Sequence, residues 1–319
     1  MEIAASLHVD ITPVVGHDVV VNPTIVSDST GDDPGIPTRL MVMGMAKRNG
    51  DIITAELAPV MDACGLSPDQ VRSCLRRLVN EGLFERDGEG RDSRYHATEA
   101  GLAELRSIGD RTVLAYAQDH AGRGWDRRWR IVAFAIPESM RASRDRFRDR
   151  LLALGAAAVH NGLYVAPHRW DTEVRAEISR LGIGAYVTMA TTDDLEIGGT
   201  SNPRDLAGRL WPLEQIAERY RDFIATYESV PAELEAMMKR GERIAEHDFL
   251  PGALQIAIRF MRCFEADPLL PPELLPKPWP GRDAREVLVR CRKLGLLTRE
   301  EKGGPAMFSV FDEAISALP

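Results

Sequence analysis

The chain has 319 residues, 44% of them hydrophobic and 28% charged, the balance of a globular protein with enough core for two or three domains. Forty Lys and Arg against 48 Asp and Glu give a net charge of −8, which excludes a uniformly basic nucleic-acid coat and any general attraction to anionic membranes. A local DNA-binding face stays compatible with that figure. Residues 1–36 come first and hold six acids (Glu2, Asp10, Asp18, Asp28, Asp32, Asp33) with no Lys or Arg, so this arm carries −6 and the rest only −2. It contains one short strand-like run, Val19-Val20-Val21, and ends in a turn-rich linker at 27–35. A flexible acidic arm is expected. Its start lacks the basic stretch of a secretory signal, and no apolar run approaches the ~18 residues of a membrane span. Cys64, Cys74, Cys263 and Cys291 are too scattered for a disulfide framework and form no zinc-type pair, as expected of reduced thiols in a cytoplasm.

From residue 37 the texture changes. Residues 38–48 and 54–64 read as helices, and a third opens at Ser67-Pro68-Asp69-Gln70, with a hydroxyl at the N-cap and proline at the first helical position. Val71, Leu75, Leu78 and Val79 recur at helical spacing and give one buried stripe. The opposite side carries Asp69, Ser73, Arg76, Arg77 and Asn80, with Arg72 on the flank, and the helix is expected to stop at Gly82. Residues 83–86 and 93–97 then read as two strands around a polar tip. Three helices and a polar-tipped hairpin predict a winged helix-turn-helix DNA-binding domain over 37–100.

A helix fits the major groove and its outward side chains reach base edges, while a wing lies along phosphates or in the minor groove. The candidate DNA contacts are therefore Ser67, Asp69, Gln70, Arg72, Ser73, Arg76, Arg77 and Asn80 on the helix, with Arg91, Arg94 and Tyr95 on the wing. Residues 37–100 hold nine Lys and Arg against ten acids, so binding rests on where the charges sit. The competing reading is an adaptor whose winged helix touches protein.

Residues 101–124 read as a helical connector with Arg106 and Arg111. A second domain over 125–195 has a strand at 130–136, a helix at 139–154 with Met140, Phe147, Leu151 and Leu154 inward, and strands at Ala157–His160 and Leu163–Ala166. Asn161-Gly162 between these two strands is a strong hairpin signal. A helix at 171–181 and a strand at 185–190 complete the order βαββαβ, which predicts a ferredoxin-like α+β sandwich. Residues 205–319 read as a mainly α-helical domain, with helices at 213–228, 231–246, 250–266 and 283–294. The Pro- and Leu-rich stretch 267–281 cannot be helix and is expected to be an ordered strap packed on helices.

Three stretches together resemble the PaaX-type repressors of aromatic catabolism: Val71-Arg72-Ser73-Cys74-Leu75-Arg76-Arg77-Leu78; Trp125-Asp126-Arg127-Arg128-Trp129-Arg130; and Asp267-Pro268-Leu269-Leu270-Pro271-Pro272-Glu273-Leu274-Leu275-Pro276 with Trp279-Pro280-Gly281. The resemblance implies a three-domain homodimer that binds double-stranded operator DNA. It further implies release by a small-molecule effector such as an aryl-CoA thioester. No cofactor is implied. The arm 1–36 goes beyond the usual start of this family and inherits no role from it.

The central domain also resembles the Cas2-like fold, whose nucleases place a metal-binding aspartate at the end of the first strand. Here that stretch is Phe134-Ala135-Ile136, so a metal-dependent nuclease, the other competing reading, lacks its carboxylate. No phosphate loop, zinc-protease motif or nucleophile elbow is present, the seven histidines are dispersed, and no enzymatic activity is expected. Residues 106–150 hold eleven arginines and six acids, a local +5. Arginine suits the phosphates of a CoA thioester. Arg141 and Arg144 are thus candidate effector contacts, Arg144 because it falls within the apolar stripe and must be paired if buried. Trp170, Trp211, Tyr220 and Trp279 are candidate walls for an aryl group.

Overall fold

The computed structural model describes residues 38–300 apart from 48, 64, 65 and 123. The acidic arm, Cys64 and the chain beyond 300 lie outside the described residues. The chain is α+β, with two antiparallel sheets, and divides into two units. The first takes the chain up to Val113, Tyr220–Cys263 and everything from Gly281; the second takes Leu114–Arg219 and Phe264–Pro280.

The first unit begins with α1 (Thr38–Gly44), β1 (Asp51–Ile53), α2 (Thr54–Ala63) and α3 (Pro68–Asn80). The start of α3 is fixed by a capping box: Ser67 Oγ accepts from the Gln70 amide at 3.3 Å, and Gln70 Oε1 accepts from the Ser67 amide at 2.8 Å. At its end Gly82 takes φ 72°, a left-handed angle that suits glycine, and the Leu83 amide returns to the Leu78 carbonyl at 3.0 Å. Strands β2 (Phe84–Asp87) and β3 (Arg94–Ala97) follow, and β3 pairs with β1 on one side and β2 on the other. β1 was not anticipated, because three residues are too few to show a period.

The long helix α4 (Glu99–Ala121) starts against this hairpin. Thr98 Oγ1 donates to the carbonyl of Gly82 at 2.6 Å and accepts from the Gly101 amide at 3.1 Å. A Cβ on Gly101 would meet the Leu83 carbonyl oxygen at 1.9 Å, so only glycine fits this approach. One apolar core holds the unit together. It includes Met41, Val42, Ile52, Leu57, Val60, Cys74, Leu75, Leu78 and Phe84, and also Leu254 from the distant helix α10 introduced below.

The second unit is built on β4 (Trp129–Phe134), α5 (Arg141–Ala153), β5 (Ala157–His160), β6 (Leu163–Ala166), α6 (Asp171–Leu181) and β7 (Val187–Thr192). The sheet order is β5-β6-β4-β7, and every pair is antiparallel. Phe147, Leu151, Trp170, Val174 and Ile183 pack with Val132 and Tyr164 of the sheet in one core. The two-residue Asn161-Gly162 turn joins β5 to β6. Gly162 has φ 75°, and its absent Cβ would lie 2.4 Å from the Phe134 carbonyl oxygen.

Helix α7 (Pro203–Leu210) was also not anticipated, although Asn202 caps it through the amides of Arg204 and Asp205. The proline-rich strap belongs to this unit and is ordered. Gln118 Nε2 donates to the Leu269 carbonyl at 3.2 Å and His168 Nε2 to that of Pro268 at 2.9 Å, while Glu273 accepts from the amides of Gly124 and Trp125. Its own Leu269, Leu270, Leu274 and Leu275 are buried.

The remaining helices are α8 (Leu213–Tyr227), α9 (Val230–Lys239), α10 (Glu246–Ala266) and α11 (Gly281–Thr298). The helix expected over 231–246 stops at Lys239, where Gly241 turns with φ 73°. In the first unit α9 packs on α11, with Arg290 reaching Glu235 at 3.0 Å. Burial there pushes the Tyr227 hydroxyl and the Cys291 thiol each up to about 12. Among the described residues, no helix is long and apolar enough to cross a membrane.

Candidate nucleic-acid interface

Helix α3 presents two contrasting faces. Val71, Cys74, Leu75 and Leu78 are buried, and burial raises the Cys74 thiol above its ordinary value. Asp69, Gln70, Arg72, Arg76, Arg77 and Asn80 are exposed and Ser73 is half-buried. This is the division expected from the spacing. Arg72 is held by Asp69 at 2.6 Å across one turn. Arg76 and Arg77 have no acidic partner among the described residues, because the next acid along the chain, Glu81, is taken by Arg39. Ser67 and Gln70 face solvent but already serve each other in the capping box.

The hairpin departs from expectation at one position. Arg94 is exposed, whereas Tyr95 is only 7% exposed and belongs to the core. Successive side chains on a strand point to opposite faces, so an outward Arg94 carries an inward Tyr95 with it. Tyr95 is thus a packing residue. The side chain of Arg91 lies outside the described residues; its backbone forms a short 3₁₀ turn, Gly90–Asp92.

Sequence reasoning missed the group that sets the root of this hairpin. Ser93 is buried; its Oγ accepts from Arg86 Nη2 at 3.0 Å and donates to the Gly90 carbonyl at 3.0 Å. Its own carbonyl accepts from Thr54 Oγ1 at 2.9 Å, tying the hairpin to the start of α2. The same alternation that places Tyr95 inward marks Ser93, two residues before it, as inward too. Exposed arginines on a capped helix, with a hairpin anchored beside it, can engage an anionic polymer by bidentate contacts to phosphates or guanine edges.

The candidate effector residues differ in exposure and in what they already contact. Arg141 is exposed and lies near Glu138 and Asp145. Arg144, read from the wheel as part of a buried stripe, is 32% exposed and is paired with Glu138 at 2.8 Å. Trp170 is buried in the core of the second unit. Trp211 stacks on Trp129 at 6.4 Å and donates its indole N–H to the Gly155 carbonyl at 3.2 Å. Tyr220 is buried in the first unit beside Phe260, and Trp279 is half-buried in the second. The rings of Trp170, Trp211 and Tyr220 are committed to packing.

Comparison with known proteins adds an independent line. Three family models match in succession: the PaaX-like protein over residues 40–101, the PaaX protein central Cas2-like domain over 122–207, and the PaaX-like protein C-terminal domain over 211–297. The transcriptional repressor PaaX of Escherichia coli (strain K12) is 26% identical over 265 residues, which is 81% of this chain and 80% of that protein. The solved structure of the uncharacterized protein Rv0674 from Mycobacterium tuberculosis covers 93% of this chain and 97% of its own at 18% identity, with a TM-score of 0.44. With three consecutive domain models of one family matched between residues 40 and 297, the chain belongs to the PaaX family.

Proposed function

We propose that the protein is a DNA-binding transcriptional repressor of an operon for aromatic or heterocyclic compound catabolism. It acts in the cytoplasm as a homodimer and is not an enzyme. The observation that carries this reading is the exposed, acid-free pair Arg76 and Arg77 on α3, opposite a fully apolar face. In this reading α1–α3 and the β2–β3 hairpin act as a winged helix-turn-helix, α3 enters the major groove, and Arg94 and Arg91 follow the backbone. The similarity to a named repressor supports it. The second unit, with βαββαβ order, serves as a ferredoxin-like, Cas2-like core from which the two DNA-reading modules of a dimer are held at operator spacing. An effector, an aryl-CoA thioester or a pathway metabolite, releases the operator by binding one spacing better than the other.

The nuclease reading is not favoured. Ala135 follows β4 where a metal-binding carboxylate would be needed, and among the described residues no group of three His, Cys, Asp or Glu is arranged to hold a metal ion. Gel shifts with the DNA upstream of the protein's own gene cluster test the proposal. Saturable binding lost in Arg76→Ala/Arg77→Ala is expected; binding that survives this double substitution removes α3 from the interface.

A further inference from the structure

The second unit contains a cleft of about 520 Å³ lined by Asp126, Arg128, Arg130, Arg169 and Asp171, none of which was among the expected effector contacts. Its floor is the Arg130 guanidinium, buried at the base of β4. The Nη groups of Arg130 donate to both oxygens of Asp126, and Nη1 also reaches the carbonyls of Arg128 and Pro167. Its buried Nε has no hydrogen-bond partner, and the nearest carboxylate oxygen, from Asp171, is 3.9 Å away. Asp126 is saturated: it also accepts from the Arg128 amide at 3.1 Å and from Arg169 Nε at 3.2 Å. The floor pair therefore cancels itself.

The rim does not. Arg128 is exposed and its guanidinium has no acid partner among the described residues. Arg169, 79% exposed, commits only Nε and leaves both Nη groups open. Against these two open forks stands the Asp171 carboxylate at the first turn of α6, 3.9 Å from Arg130 Nε. Every lining residue is charged, so an aryl group finds no apolar wall here. A doubly charged oxyanion matches two planar forks with paired N–H donors, whereas one carboxylate can occupy only one of them.

We propose that this cleft binds the phosphate end of a small phosphorylated ligand, with Arg128 and Arg169 gripping the oxyanion above Arg130. The assignment deepens the effector half of the function proposed above, and it rests on that reading only for the consequence at the operator.

Isothermal titration of the full chain with inorganic pyrophosphate, at ionic strength fixed with sodium chloride, tests it. Saturable binding is expected, weakened roughly tenfold or more in Arg128→Ala/Arg169→Ala, whose exposed side chains hold no core contact. Asp171→Asn, which removes the opposing charge, should tighten it by about two- to threefold. No saturable binding, binding unaltered by the double substitution, or equal binding of sodium benzoate overturns the proposal. So does loss of non-specific duplex affinity in the double variant without pyrophosphate binding in the wild type, which would assign both arginines to the DNA backbone. Wild-type protein that binds pyrophosphate but no promoter DNA would sink the repressor reading and leave the cleft standing; the reverse pair of results would sink the cleft alone.

Discussion

Two arginine-rich helices, α3 in the first unit and α5 in the second, put their charge to different uses. On α5, Glu138 just before the helix and Asp145 and Asp149 within it lie close to Arg141, Arg144 and Arg148, with separations of 2.8 to 3.8 Å. On α3 only Arg72 is answered, by Asp69, and no further acid follows until Glu81, which Arg39 holds. Three of the five arginines of α5 thus lie close to an acid, against one of the three on α3, while Arg146 and Arg150 have no acidic partner among the described residues. Counting arginines located the local +5 between 106 and 150. Which acids lie within reach, at three or four residues along the helix or as direct neighbours, decides how much of it is available to a partner.

A third use of arginine marks the extreme of this comparison and gives the largest expected effect. Arg130 is buried and its charge is answered chiefly by Asp126, an arrangement that also holds the Asp126 carboxyl down at about 2, mainly through the Arg130 hydrogen bond. Asp126→Ala strands a buried cation and should cost about 3–5 kcal/mol in urea or thermal unfolding. The pH dependence has a definite sign. A depressed carboxylate stabilises the fold above its ordinary value near 3.8, and that contribution fades as pH falls from about 4 towards 2. Asp126→Asn should flatten this acid limb. An unchanged limb would show that the pair is not what sets it.

Next in size come the open arginines. Arg76→Ala and Arg77→Ala should each lower promoter affinity by about 1–3 kcal/mol if they read bases. If they grip phosphate instead, the loss should be uniform across sequences and the salt dependence shallower by about one counterion each. Unaltered gel shifts would erase the contrast between the two helices. Ser67→Ala removes the cap that sets where α3 begins and should cost about 1 kcal/mol in stability. Its effect on affinity should stay below that of either arginine, since Ser67 Oγ is already engaged with the Gln70 amide.

The first of these helices was legible because everything that makes it is local: a capping box, a stripe of four apolar residues, and a glycine stop. The hairpin was legible as two strands but not in its facing. Arg94 and Tyr95 are neighbours on one strand and were both placed outward, a combination that strand geometry forbids. Arg144 was placed by its α-carbon on the apolar stripe, but a long side chain can carry its charged end to Glu138 and leave only its stem near the core. Leu254 in the core of the N-terminal helices gave no signal at all, because it joins them across more than 150 residues. The strap is intermediate. Its prolines and leucines predicted order, whereas its fastenings to Gln118, His168 and Gly124 depend on residues a hundred or more positions away.

The smallest predicted effect is the most discriminating. Arg141→Ala/Arg144→Ala removes two charges from the helix with the densest arginine content in the chain. If the total positive charge of the chain governed affinity for DNA, the loss should be visible in a gel shift at low salt. If availability governs, it should not be, because Glu138 and Asp145 already offset these side chains and exposed pairs of this kind contribute only ~0–1 kcal/mol to stability. The expected outcome is a promoter affinity within about twofold of wild type and a melting temperature lowered slightly, with that small loss fading as salt is raised. A fall in affinity matching that of Arg76→Ala would mean that α5 also meets the DNA, and that its acids only hold its arginines in place until a phosphate displaces them.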